Sequence, residues 1–266
     1  MSIHPTAIVD KKSNISSDVE IGPYAIIESD VKIGKGVKIY PHSHIMNYTE
    51  IGDGTRIHTG AVLGDVPQDI AFKGGKTSLI IGKNNIIREY VTIHRGTKEG
   101  SSTVIGDNNY FMGTSHLGHN CDVGNNVIVA NGALLAGYVT VEDAAFISGN
   151  VVIHQFSRIG TLSMIGGFSG VNKDVPPYMS VRGPSVVCAV NLVGLRRAGI
   201  DRKAITEIKE AYKIIYHSDI NTKQAVEKIL ERNPGKEVKY LVDFIKNSKR
   251  GICKYRYDSD DKGYYS

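Results

Sequence analysis

The chain has 266 residues, 41% of them hydrophobic and 22% charged, with 29 glycines and no tryptophan, which excludes a disordered or collagen-like polymer. No apolar run approaches the ~20 residues that span a bilayer, and the opening Met-Ser-Ile-His-Pro lacks the basic and apolar regions of a secretory signal, so a cytoplasmic protein without an integral membrane segment is expected. The net charge of +5 is C-terminal, since residues 1–183 hold 15 Lys/Arg against 16 Asp/Glu and residues 184–266 hold 17 against 11; this suits an acidic or phosphate-bearing partner and is too mild to indicate nucleic-acid binding.

A six-residue repeat begins at Ile3. Every sixth position through Leu63 is aliphatic, and the same phase returns at Ile81, Ile87 and Ile93 and runs unbroken from Ile105 to Val171. Of the 29 positions, 26 are apolar, where a 41% composition would give roughly 12. A helix needs a period near 3.6, so the pattern predicts short strands separated by corners, coil stacked on coil, over residues 1–183. The pattern resembles the parallel β-helix of hexapeptide acyltransferases, in which three hexads make one 18-residue coil, and this resemblance implies about nine or ten coils. Glycine often follows the aliphatic residue, as at Gly52, Gly106, Gly118 and Gly124, where a turn at positive φ is expected. Cys121, Cys188 and Cys253 are too few and too widely spaced for a disulfide framework or a Cys-based zinc site, so free thiols are expected.

Two interruptions, roughly 64–79 and 94–104, break the repeat. Residues 18 apart stack in a column, and Leu63, Ile93, Leu117, Leu135, Ile153 and Val171 form one such column. Both interruptions therefore leave at the same corner, which also receives His94, His119, Tyr138 and His154, with His116 just before it. Clustered loops and imidazoles on one edge predict a site. A partly exposed imidazole suits general-base catalysis. No metal set is expected, because His116 and His119 sit at phases of the repeat that face differently and no Cys/Asp/His spacing accompanies them.

Past Pro184 the pattern becomes helical. Asp201 reads as an N-cap followed by Ala204, Ile205, Ile208, Ala211, Tyr212 and Ile215. Further helices are expected around Thr222–Arg232, stopping before Pro234, and near Glu237–Asn247. The expected organisation is a β-solenoid at 1–183, a small α-helical domain at 184–251 and a flexible tail at 252–266.

The segments Thr-Ile-His-Arg-Gly-Thr (92–97), Ser-His-Leu-Gly-His-Asn-Cys (115–121), Leu-Ala-Gly (135–137), Ile-His-Gln-Phe (153–156), Gly-Gly-Phe-Ser-Gly-Val (166–171), Asp-Val-Pro-Pro-Tyr (174–178) and Asn-Leu-Val-Gly-Leu-Arg-Arg (191–197) resemble the UDP-N-acetylglucosamine acyltransferase family that begins lipid A synthesis. The resemblance covers the chain to about Gly251. It implies an all-β left-handed parallel β-helix followed by a small helical domain, and a homotrimer with sites between subunits. It also implies transfer of an R-3-hydroxyacyl group from the phosphopantetheine of acyl carrier protein to the sugar 3-position, without a further cofactor and without an acyl-enzyme.

In that resemblance His119 is the general base and the Gly137 N–H stabilises the oxyanion. His116 positions the acceptor, and Asp69 binds the sugar. His154, Gln155, Asn191 and Arg197 surround the nucleotide and diphosphate, and Gly167 bounds the acyl tunnel and measures chain length. Five positions depart from the family's usual residues: Asn120 for Asp, Ala71 for Lys, Tyr138 for His, Val193 for Glu and Ala198 for Arg. The altered sugar contacts raise a second expectation, N-acylation of the 3-amino analogue of the sugar nucleotide. A non-catalytic β-helix scaffold is the reading from a different class, and it predicts that His119→Ala changes nothing.

Overall fold

The computed structural model describes residues 1–255. The hexads form three parallel sheets, the faces of a left-handed triangular prism. The first face starts with the strand Ser2–Ile3, the second with Ile8–Val9 and the third with Asn14–Ile15. Each strand pairs with the one a full coil later, as Ile3 with Ile21 and Val9 with Ile27.

The aliphatic position of each hexad points inward. Ile27, Ile45, Leu63, Ile93, Leu117, Leu135 and Ile153 are sealed from solvent, each burial contributing ~1.5–3 kcal/mol before chain entropy is counted. Most strands are two residues long because each hexad must also turn a corner. The backbone reaches positive φ at the corner's third position, most often Asn, Tyr, Phe or Gly, including Asn120 at 56°, Tyr138 at 60°, Phe156 at 64° and Gly132 at 67°.

This corrects the reading of the repeat glycines. Gly52, Gly106, Gly118 and Gly124 stand one residue after the inward side chain and do not use positive φ; a Cβ there would strike the next coil, 2.5 Å from the Gly82 carbonyl at Gly52 and 2.8 Å from the Gly137 nitrogen at Gly118. The constraint is close approach of backbones.

The solenoid does not end at residue 183. The strand Val186–Val190 turns back antiparallel on Met179–Arg182 and extends the first face, so the expected 183/184 boundary falls inside a hairpin. Gly183 and Ser185, at φ 54° and 57°, make the hairpin turn around Pro184, where the repeat was expected to end. A helix absent from the sequence reading, α1 (Leu192–Arg197), follows, then α2 (Arg202–Tyr216) on its Asp201 cap, α3 (Thr222–Leu230) and α4 (Lys236–Lys246). The helical layer docks through specific contacts: the Arg158 guanidinium lies 4.2 Å from the Phe244 ring centre, Tyr240 Oη donates to Glu142 Oε2 at 2.6 Å, and Ser248 Oγ donates to Asp174 Oδ2 at 2.7 Å.

Residues 252–255 are also not a free tail. Ile252 bridges Asp174 and Lys254 bridges Val186, while Cys253 is fully buried. Backbone partners at the open edge of the last coil hold this segment. Residues 256–266 of the expected tail lie outside the described residues. Among the described residues no helix is long and apolar enough to cross a membrane.

Candidate active site

Both excursions leave the prism where the sequence column places them. Val62–Asp65 on the second face is followed on the third by Ser78–Ile81, and Thr92–His94 by Ser102–Ile105. Segments 66–77 and 95–101 therefore cover one corner, and the next coils bring His119, Gly137 and His154 to the same edge. His119 and His154 are two coils apart on that edge, about 10 Å at the spacing of paired strands.

His119 is the centre of this corner, its side chain 12% exposed. Its Nδ1 lies 3.1 Å from Asn120 Oδ1 and its Nε2 lies 3.8 Å from Asp69 Oδ2, carried in by the first excursion. The ring lies flat over Gly137, where a Cβ would come within 2.5 Å of its Nε2 and Cε1. Among the described residues nothing accepts a hydrogen bond from the Gly137 N–H. The base candidate and a free backbone donor thus sit on adjacent coils. His119 meets Tyr138 edge-on at 5.3 Å, and Tyr138 stacks on Phe156 at 4.9 Å, so an aromatic column continues along the edge.

His116 projects from the second face and shares a hydrogen bond with Thr92 Oγ1 at 2.8 Å through Nδ1. Burial, and after it the neighbouring His94, push its pKa down to about 4, so it is neutral near pH 7 and exchanges neutral hydrogen bonds. His94 is buried, and its Nδ1 donates to the Val66 carbonyl at 2.6 Å, tying the first excursion to the strand. Asp69 also accepts from the Ala71 N–H at 2.9 Å, which fixes its carboxylate in a tight turn.

His154 and Gln155 are exposed on the corner two coils on. Arg250 reaches His154 from beyond α4, its Nη2 3.4 Å from His154 Nδ1 and its Nε and Nη2 donating to the Asn172 carbonyl. Sequence reasoning missed Arg250, since no periodicity links it to the repeat. It also missed Thr97, whose N–H donates to Asn120 Oδ1 at 3.0 Å and whose Oγ1 lies 2.9 Å from the same oxygen. Its place in the Thr-Ile-His-Arg-Gly-Thr segment was the available signal.

Three predicted residues are not on this edge within one chain. Asn191 caps α1 by accepting from Gly194 N and donates to the Leu162 carbonyl at 2.8 Å, which places it at the corner between the third and first faces. Arg197 lies exposed at the end of the same helix. Gly167 lies at the remaining corner, before the strand Gly170–Val171.

Cys121 lies beneath the site, but its Sγ is directed at the Ala136 carbonyl, and burial pushes its thiol up to about 12. It supplies no thiolate at neutral pH. Among the described residues no three His, Cys, Asp or Glu side chains converge as a metal-ligand set.

Known proteins resemble this chain in sequence and in fold. Residues 30–65 and 102–137 match the bacterial transferase hexapeptide family, and residues 174–253 match the second domain of UDP-N-acetylglucosamine O-acyltransferase. The UDP-N-acetylglucosamine O-acyltransferase of Halorhodospira halophila is 44% identical over 95% of this chain and 99% of its own length, and that of Aliarcobacter butzleri 46% identical over 94% and 97%. Among solved structures, the Bacteroides fragilis UDP-N-acetylglucosamine acyltransferase superposes with TM-score 0.90 at 41% identity, covering 94% of this chain and 99% of that one. The Acinetobacter baumannii protein superposes with TM-score 0.91 at 40% identity, covering 95% and 99%. With that similarity extending across both the prism and its helical cap, the chain belongs to the UDP-N-acetylglucosamine O-acyltransferase family.

Proposed function

We propose that this protein transfers an R-3-hydroxyacyl group from acyl carrier protein to the 3-hydroxyl of UDP-N-acetylglucosamine, the first step of lipid A synthesis, with His119 as general base. The observation that carries this reading is the position of the His119 imidazole over Gly137, its Nδ1 engaged by Asn120 and its Nε2 open toward Asp69. Nε2 takes the proton of the sugar hydroxyl as the oxygen attacks the thioester carbonyl carbon. The Gly137 N–H donates to the developing oxyanion. When the carbon–sulfur bond breaks, the imidazolium returns its proton to the departing phosphopantetheine thiolate.

The site is completed by a second copy. Asn191 and Arg197 sit at a different corner from His119 and His154, so a homotrimer is the assembly in which one subunit's hairpin and α1 face another subunit's corner. Arg197 then serves the diphosphate through its forked donors, with His154, Gln155 and Asn191 around the nucleotide. Asp69 and His116 hold the sugar, and Gly167 bounds the acyl channel. The basic C-terminal region meets the acidic carrier protein, and the reaction is placed in the cytoplasm. The relatives reported above carry O-acyltransferase names, and no specific contact favours the 3-amino acceptor.

The test offers purified protein both UDP-N-acetylglucosamine and its 3-amino analogue with 3-hydroxyacyl carrier proteins of graded length. Turnover of the hydroxyl acceptor, its loss by at least about a hundredfold in His119→Ala, and a shift to shorter chains in Gly167→Met are expected. Equal turnover by wild type and His119→Ala would remove the base assignment; preference for the amine would replace the acceptor.

A further inference from the structure

We propose that Asn120, Thr97 and Tyr138 form a directed hydrogen-bond chain that locks His119 in the tautomer carrying its proton on Nδ1, making Asn120 a positioning residue for the reaction. The proposal rests on His119 being the general base. A single backbone group fixes every polarity in the chain. Thr97 N, 3.0 Å from the Asn120 side chain, can only donate, so the Asn120 atom facing it is the carbonyl oxygen and not the amide nitrogen. His119 Nδ1, 3.1 Å from that oxygen, must then supply a proton. Nε2 is left with its lone pair.

The same oxygen orders the hydroxyls. Thr97 Oγ1, 2.9 Å away, spends its only proton on Asn120 and is therefore the acceptor for the Tyr138 hydroxyl at 3.0 Å. The direction runs from Tyr138 to Thr97 to Asn120, with His119 donating into the same oxygen from the other side. The backbone reinforces this, since Asn120 N donates to Thr103 Oγ1 at 2.8 Å and Tyr138 N to the His119 carbonyl at 2.9 Å. An amide thus orients the imidazole with no charge at Nδ1. The ionisable groups facing the ring are Asp69, 3.8 Å from Nε2 on the first excursion, and Tyr138, edge-on from the next coil at 5.3 Å.

The variants follow from the backbone. Asn120 has φ 56°, so Asn120→Gly removes the amide while keeping a residue at ease in that conformation, and Asn120→Asp restores an acceptor with a charge. Full-length protein, wild type and both variants, is assayed for kcat, for KM of UDP-N-acetylglucosamine and for the pH profile of kcat/KM, after a thermal melt establishes folding. Asn120→Gly should lower kcat at least about tenfold with KM changed less than about twofold. Asn120→Asp should recover most of kcat at its optimum, and its acid limb should move up by about one pH unit or more, because a carboxylate beside Nδ1–H favours the imidazolium. Thr97→Val should fall between wild type and Asn120→Gly.

A folded Asn120→Gly with wild-type kcat, or an Asn120→Asp acid limb that does not move, overturns the proposal. Nitrogen-15 NMR of the wild-type histidines gives a measurement independent of any variant: Nδ1 of His119 must show the protonated signature and Nε2 the unprotonated one. The reverse also overturns it. His119→Ala, run alongside, separates this outcome from failure of the base assignment, since wild-type turnover in that variant would sink the base itself.

Discussion

At Gly137 the decisive quantity is space. The residue has no positive φ to exploit, and its hydrogen atom faces the His119 ring at a distance where a methyl carbon cannot fit. Gly137→Ala should therefore leave the thermal melt nearly unchanged while displacing the imidazole, and a shift of about 1 Å in a reacting group costs about a hundredfold in rate. Loss of kcat without loss of stability is the expected pattern; an active Gly137→Ala would show that the ring tolerates displacement. His119 and His154 were legible in the sequence because the period assigns every residue to a corner. Asn120 was legible only as a departure from the family's Asp. That its amide oxygen replaces a carboxylate as an acceptor depends on Thr97, which a folded excursion delivers from 23 residues away. No periodicity records such a contact.

Among the elements, the helices were legible to the degree that their ends carry chemical markers. Asp201 caps α2 by accepting from Ala204 N at 2.9 Å, as its position before an amphipathic run predicts. Asn221 and Gln224 close a reciprocal capping box on α3. Asp201→Ala should cost about 1 kcal/mol of stability, read as a lower midpoint in urea with turnover retained; an unchanged midpoint would mean that docking on the prism, rather than the cap, sets the stability of α2. The helix α1 escaped the reading because six residues with a central Gly194 are too short to show a period. The strand Val186–Val190 escaped it because its pairing is antiparallel and lies outside the six-residue count. Pro184 looked like a boundary, whereas it belongs to a turn.

For the molecule as a whole, the ends of the solenoid are unequal. In the first coil the inward Ile3 is 39% exposed and Val9 and Ile15 are only partly buried, whereas the inward hexad positions from Ile21 to Val171 are buried. The far end is covered by the hairpin, the helices and the returning segment at Ile252–Lys254. Hydrogen exchange should therefore be fastest at the amides of Ser2, Ile8 and Asn14 and slowest in the middle coils around Ile128 and Leu134, since each coil is stabilised by its neighbours. Uniform protection along the prism would contradict this. The architecture was the most legible feature because one inward aliphatic side chain per hexad states both the strand and its phase. The corner on which the helical layer comes to rest was not written in that pattern.

The hydrogen-bond ladders close around both excursions. Leu63 pairs with Ile93 and Ile93 with Leu117, although thirty and twenty-four residues of chain separate them instead of eighteen. Scaffold and excursion are in this sense decoupled: a segment grafted at that corner changes what surrounds His119 while Leu63, Ile93 and Leu117 keep their partners. Evolution, or an engineer, can exchange loops there and leave the register of the inward column undisturbed.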